Sequence, residues 1–266
     1  MTWETILYEK QDGVASLTFN RPDVLNAISP TTPQELSEAL EEAESDRDVG
    51  CVVLTGAGRA FCAGADVRTF RQMLEGQVEA TWIDRLQRVA FQIFNLRKPI
   101  IAAINGPALG GGATITLPCD MRIASDQARI GLAFARVGLI PELGSTFLLP
   151  RLVGLAKALD LALTGRILDA QEALALGLVG AVIPHQRFRD EVQALAVEIA
   201  RGPTRVLGLT KEAIHRGLHA DLATAIRTES DIIDICRGLP EHREGVTAFL
   251  EKRQPRWSEI AGQADT

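Results

Sequence analysis

PIIAAINGPALGGGATITLPC, residues 99–119, contains no charged side chain. A run of that length is enough to cross a bilayer as one helix. Its composition argues against that. Pro99, Pro107, Pro118, Asn105 and four glycines would leave backbone groups unsatisfied in lipid. A buried strand (PIIAAI), a glycine turn and the start of a buried helix account for the stretch better. CVVLTG, residues 51–56, repeats the theme: a short, continuously apolar, β-branched strand, followed by the glycine-rich GAGRAFCAGAD, residues 56–66.

Working outward, TILYEK and GVASLTFN read as strands joined by a QDG hairpin turn, and RPDVLNAIS as a loop. TPQELSEALEEAESD predicts a helix with Thr32 as N-cap, Pro33 at its first position and Glu35 completing a capping box. ADVRTFRQMLEG, VEATWIDRLQRVAFQIFNL and GGGATITLPCD read as further helices, MRIAS as a core strand and ARIGLAF as a short strand. From Pro141 the pattern is almost wholly helical, with LVGAVIP as a short strand and three helices expected after Pro203. Strands alternating with helices, then helices alone, define an α/β architecture with a helical C-terminal extension. The boundary falls near ARGPT, residues 200–204, giving a core over 1–200 and a helical region over 201–266.

Composition narrows the function. The chain has 266 residues, ample for a sizeable core. It is 46% hydrophobic and 23% charged, so disorder is not expected. A net charge of -6 and 5% aromatics give no reason to expect nucleic acid or an anionic membrane as partner. Cys51, Cys62, Cys119 and Cys236 form no Cys-x-x-Cys pair and read as free, reduced thiols. The first residues carry charges and no apolar core, so no secretory signal is expected and a cytoplasmic location follows. His215 and His219 lie four apart in HRGLH without the glutamate of H-E-x-x-H, and they read as solvated helix histidines; no metal site is expected.

The chemistry concentrates in the two glycine turns. Each follows a buried strand and precedes a helix, so each offers backbone N–H donors to an anion or a developing oxyanion. The alternative is tight turn packing, but three consecutive glycines opening a helix each cost ~1 kcal/mol relative to alanine. No G-x-G-x-x-G with a well-placed acid, no Walker A and no G-x-S-x-G elbow is present. A third stretch, VGLIPELGST (137–146), contains one charge, Glu142. It is either a helix-start residue behind Pro141, facing water, or a tuned acid/base group.

Together these motifs resemble the crotonase superfamily, the enoyl-CoA hydratase/isomerase family, over nearly the whole chain. RPDVLNAIS looks like the family's first CoA-contacting loop. GAGRAFCAGADV and KPIIAAINGPALGGG look like its oxyanion-hole segments, and VGLIPELGSTFLLPRLVG like the segment that carries catalytic acids. LTGRILDAQEALALGLVGAVIP and EGVTAFLEKRQPRW match further family stretches. The resemblance implies a spiral of ββα units, C-terminal helices supporting a homotrimer or a dimer of trimers, and an acyl-CoA thioester substrate. No separate cofactor is implied, CoA being part of the substrate. It places the oxyanion donors on the backbone N–H groups of Ala65 and Gly111. CoA and substrate contacts are implied at Val24, Leu25, Ala27, Ala63, Asp66, Val67, Gly110, Thr114, Phe134, Leu139, Phe249 and Lys252, the last two on a helix that reaches a neighbouring subunit's ligand.

The carboxylates depart from the pattern. Hydratases of this family carry two glutamates, and the matching places here hold Thr114 and, by an ungapped count, Phe134. Some Δ3,Δ2-enoyl-CoA isomerases carry their acid/base glutamate where Glu142 stands. Isomerisation needs one carboxylate, hydration two groups. The resemblance therefore implies an enoyl-CoA isomerase with Glu142 as acid/base. A hydratase, a ring-opening acyl-CoA isomerase and a non-catalytic thioester-binding member are the alternatives.

Overall fold

In the computed structural model, which describes residues 3–260, the two buried strands lie side by side. Strand β1 (Ile6–Gln11) pairs antiparallel with β2 (Val14–Phe19) through a tight turn in which Asp12 and Gly13 have φ of 52° and 80°. Both are left-handed, as a two-residue hairpin turn of this twist requires. After a 3₁₀ turn (Pro22–Val24) and helix α1 (Thr32–Ser45), β3 (Cys51–Gly56) joins β2 in parallel. Helices α2 (Val67–Leu74) and α3 (Thr81–Asn95) lead to β4 (Ile100–Ile104), which is parallel to β3. β5 (Ala108–Leu109) and α4 (Gly111–Thr114) follow, then β6 (Met121–Ser125) and β7 (Arg129–Gly131). A 3₁₀ segment (Ala133–Val137) precedes α5 (Ser145–Val153), α6 (Leu155–Thr164), β8 (Ile167–Asp169), α7 (Ala170–Ala175) and β9 (Ala181–Ile183). Helices α8 (His185–Ala200), α9 (Thr204–Gly217), α10 (Leu222–Gly238), α11 (Pro240–Leu250) and α12 (Trp257–Ile260) complete the described chain.

The main sheet runs β1-β2-β3-β4-β6-β9, and a second sheet runs β5-β7-β8. Side chains alternate across the main sheet. Leu17, Val52, Leu54, Ile100, Ala102 and Ile104 pack with Leu36, Leu40, Leu86 and Ile93 of α1 and α3. Val14, Cys51, Val53, Ile101, Ala103 and Ile123 pack with Phe188, Val192 and Ala196 of α8. Both faces are covered, which is why β3 and β4 read as unbroken apolar runs.

Several expectations are corrected. The helix expected from the triple glycine is the single turn α4, because turns at 115–120 lead straight into β6. Thr32 is the first helical residue, not the N-cap, and its Oγ1 accepts from the Ser29 N–H at 3.1 Å. Glu35 forms no capping box. Its carboxylate accepts from the N–H groups of Glu4 and Thr5 and from Thr5 Oγ1, pinning the entry to β1. α5 begins at Ser145 behind Gly144, so Glu142 is not in a first helical turn. His215 and His219 are not merely solvated, since they stack on Phe94 and Phe147 with ring centroids 4.0 and 5.0 Å apart. The second sheet went unpredicted except for β7, and α12 adds a short helix after Pro203.

Candidate active site

Because β3 and β4 are parallel neighbours, the glycine turns that follow them leave the sheet at the same end. Hydrogen bonds then lace the turns together. Phe61 and Cys62 each donate an N–H to the Pro107 carbonyl at 3.1 Å, and Leu109 donates to the Cys62 carbonyl at 2.9 Å. Gly64, Gly106 and Gly112 are forced by this closeness, Gly106 because a Cβ there would run into the Arg59 carbonyl. A Cβ on Gly112 would stand 2.0 Å from the Cys62 carbonyl oxygen, and one on Gly64, where φ is +89°, 2.7 Å from that of Leu109. Two buried asparagines, neither flagged by the sequence reading, support the first turn. Asn26 donates to the carbonyls of Ala57 and Ala60, and Asn105 to those of Gly56, Gly58 and Ala60. The only sequence signal was an asparagine inside each loop.

Among the turn N–H groups without an acceptor, those of Ala65 and Gly111 lie together. Ile28 donates to the Gly64 carbonyl and Asp66 donates to Ile28, so the intervening Ala65 N–H points to the other side of this bridge. Gly111 opens α4 and has no intrahelical acceptor. Neither N–H donates a hydrogen bond among the described residues. They belong to one locus, since a Cβ on Gly64 would stand 3.4 Å from Gly111 N.

Glu142 completes that locus. A Cβ built on Gly111 would meet Glu142 Oε1 at 3.4 Å, Ile28 Cδ1 at 3.5 Å and Gly64 Cα at 4.0 Å. The half-buried carboxylate has no hydrogen-bond or ion-pair partner among the described residues, and burial raises its pKa above the ordinary carboxylate value. A half-buried, unpaired carboxylate beside two unused N–H donors can move a proton at a carbon whose neighbouring oxygen takes up the charge.

The other two carboxylate positions carry no acid/base group. Thr114 is fully buried, and its hydroxyl lies 3.3 Å from the carbonyls of Gly110 and Gly111. Phe134 is buried in the core. Leu25, at φ 54°, accepts from the Ala63 N–H at 2.9 Å, so the first loop and the oxyanion turn adjoin. Val24 is half-buried, and Ala27 is buried with its N–H on the Val24 carbonyl. Gly110, with φ of 52°, donates to the Gly131 carbonyl and ties α4 to the second sheet. Val67 and Leu139 are exposed. Phe249 and Lys252 lie on α11 and just past its end; within this chain α11 packs on α10 and α12.

Asp66 is committed elsewhere. Its carboxylate accepts from Arg68 N–H and guanidinium and from Arg21 Nη2, and it caps α2. The Arg68 hydrogen bond and charge, with Arg21 beside it, lower its pKa to about 2. Arg21 was missed in the sequence, where nothing distinguished it from a solvated arginine. Cys62 is buried, and burial pushes its thiol up to about 12, so it is no nucleophile at neutral pH. Among the described residues no cluster of three or more potential ligands could hold a metal ion, and no helix is long and apolar enough to cross a membrane.

The mixed α/β fold thus sets two unused backbone donors beside one half-buried carboxylate, an arrangement able to hold charge on a carbonyl oxygen. The profile described as enoyl-CoA hydratase/isomerase matches residues 9–260, and the chain belongs to that family. A probable enoyl-CoA hydratase of Mycobacterium tuberculosis is 36% identical over 263 residues, 97% of this chain and 99% of that protein. The 1,2-epoxyphenylacetyl-CoA isomerase of Escherichia coli is 39% identical over 262 residues, 96% and 98% of the two chains. The crystal structure of an enoyl-CoA hydratase from Bacillus anthracis superposes with a TM-score of 0.91 at 36% identity, covering 96% of this chain and all of that one. The fold is the crotonase fold.

Proposed function

We propose that the protein is an enoyl-CoA isomerase that shifts a Δ3 double bond to Δ2, with Glu142 as its single acid/base group. The ionised carboxylate removes a proton from C2 of a 3-enoyl thioester. The resulting dienolate oxygen is held by the N–H groups of Ala65 and Gly111, and Glu142 returns the proton to C4. Atoms and charge balance with no water added. The observation that carries the reading is the position of Glu142 Oε1, 3.4 Å from where a Cβ of Gly111 would be, with no hydrogen-bond or ion-pair partner among the described residues. Thr114 and Phe134 support it, because neither can activate water. The CoA portion is proposed to lie along Val24, Leu25, Ala27 and Ala63, where the first loop meets the oxyanion turn. Phe249 and Lys252 are proposed to reach the ligand of a second copy within a trimer or a dimer of trimers.

A hydratase is the second reading, favoured by the names of most of the relatives. A paired assay separates the two. The protein and its Glu142→Gln variant are each given a 3-enoyl-CoA and a 2-enoyl-CoA, with products followed by mass. Isomerisation without mass change, lowered ~10²–10⁴-fold in the variant, is expected. Gain of one water by the 2-enoyl substrate makes the protein a hydratase, and activity indifferent to the substitution removes Glu142 from the chemistry.

A further inference from the structure

The peptide unit that follows Glu142 is clamped at both ends. Its carbonyl, that of Glu142, accepts the Ser145 N–H at 3.1 Å, a contact local to the turn. Its N–H, that of Leu143, donates to Gln87 Oε1 at 3.1 Å. Gln87 lies on α3, 56 residues earlier in the chain, and its side chain crosses to the turn from another element. The turn needs holding. Leu143 is a non-glycine residue at φ 58°, and Gly144 follows at 73°. Left-handed backbone at a leucine costs ~1–2 kcal/mol, and it persists only where the surroundings impose it. Burial of the Leu143 side chain supplies one restraint and the Gln87 acceptor the other.

Orientation of a peptide plane sets the direction of the Cα–Cβ bond beside it. Among the described residues Glu142 has no side-chain partner to aim its carboxylate, so its aim comes from the backbone. We infer that Gln87 is a positioning residue: by accepting the Leu143 N–H it directs the Glu142 carboxylate at the Ala65–Gly111 oxyanion locus. This deepens the proposed function and rests on Glu142 being the acid/base group. Gln87 is itself exposed, and it lies outside the two turns that build the donors.

Two substitutions test this. Gln87→Met removes the acceptor at nearly constant shape. Gln87→Glu keeps an oxygen acceptor at the same reach. Rates on a 3-enoyl-CoA are measured across pH, with Glu142→Gln alongside and circular dichroism checking the fold. Gln87→Met is expected to lower kcat at least tenfold with KM within twofold, since small misplacements of a catalytic group are costly. Its acid limb is expected to move to lower pH as the carboxylate turns towards water. Gln87→Glu is expected to recover most of kcat. An unchanged kcat or an unmoved acid limb in Gln87→Met, or no recovery in Gln87→Glu, overturns the inference while Glu142→Gln remains inactive. If Glu142→Gln keeps its activity, the underlying reading fails first, and the two failures are told apart.

Discussion

Adding one methyl group at Gly111 and one at Gly112 should have opposite outcomes. At Gly111 the nearest atom to a new Cβ is Glu142 Oε1 at 3.4 Å, an ordinary contact, and φ there is not left-handed. Gly111→Ala should therefore fold with a Tm near that of the parent, yet lose activity ~100-fold, the scale of a lost oxyanion donor, because the methyl occupies the substrate's place. At Gly112 the Cβ would stand 2.0 Å from a backbone oxygen, and Gly112→Ala should cost about 3 kcal/mol or prevent folding. Thermal melts with assays on both variants check the pair. Glu142 adds a pH signature. Its folded pKa lies above the ordinary carboxylate value, so the folded protein is penalised once pH rises through that raised pKa and the group must ionise. Glu142→Gln should melt higher than the parent at pH 7.5, and the difference should vanish near pH 4, where both carry a neutral group. A Tm gain equal at the two pH values would mean that the carboxylate is not held in an unfavourable place.

The elements that build the site are two loops and a turn, joined by groups far apart in sequence. Arg21 bridges the loops: its guanidinium donates to the Ala27 carbonyl and pairs with Asp66 at 3.1 Å. Arg21→Met leaves Asp66 its Arg68 partner, so the loss falls on the first loop. Stability should drop by about 2 kcal/mol, the scale of hydrogen bonds to a charged group, with a several-fold rise in KM for the acyl-CoA and a smaller change in kcat. Denaturant melts and initial rates measure both. Asp66, held down at about 2, contributes stability above its unfolded value near 3.8 and loses it as pH falls through 2. These ties explain what the sequence could and could not convey. β3 and β4 were legible because burial on both faces writes an unbroken apolar run. β5 and β8 were not, because strands of two and three residues have no period to read. Glu142, Ala65 and Gly111 could be named from motifs, but Ala65 and Gly111 converge through parallel strand pairing and Glu142 reaches them from a turn tied to α3. Arg21, Asn26, Asn105 and Gln87 act over 5–56 residues of separation, and polar side chains with distant partners leave no local pattern.

At the scale of the molecule, the apolar surface of α6 is unexplained by a single chain. Ala158 and Leu161 face inward, whereas Leu155, Leu159 and Leu163 are 67%, 48% and 74% exposed. Spacing of four places these leucines in one stripe along the helix. Val137, Leu139 and Ile140, before α5, are also exposed, and the 3₁₀ segment that ends at Val137 packs on α6. Isolated exposed leucines need no account, but a contiguous set raises the free energy of a monomer in water unless it is covered. A second copy of the chain would cover it with matching surface under rotational symmetry. The expected outcome is a native mass three or six times that of the chain by light scattering, independent of dilution across the micromolar range. Leu159→Glu places a charge in the middle of the stripe and should shift the mass towards the monomer while circular dichroism stays unchanged. Should the Phe249–Lys252 end of α11 serve a neighbour's substrate, as proposed, the same variant should also raise KM for the acyl-CoA. A parent protein of single-chain mass would leave the stripe without a partner and would confine the substrate site to one subunit.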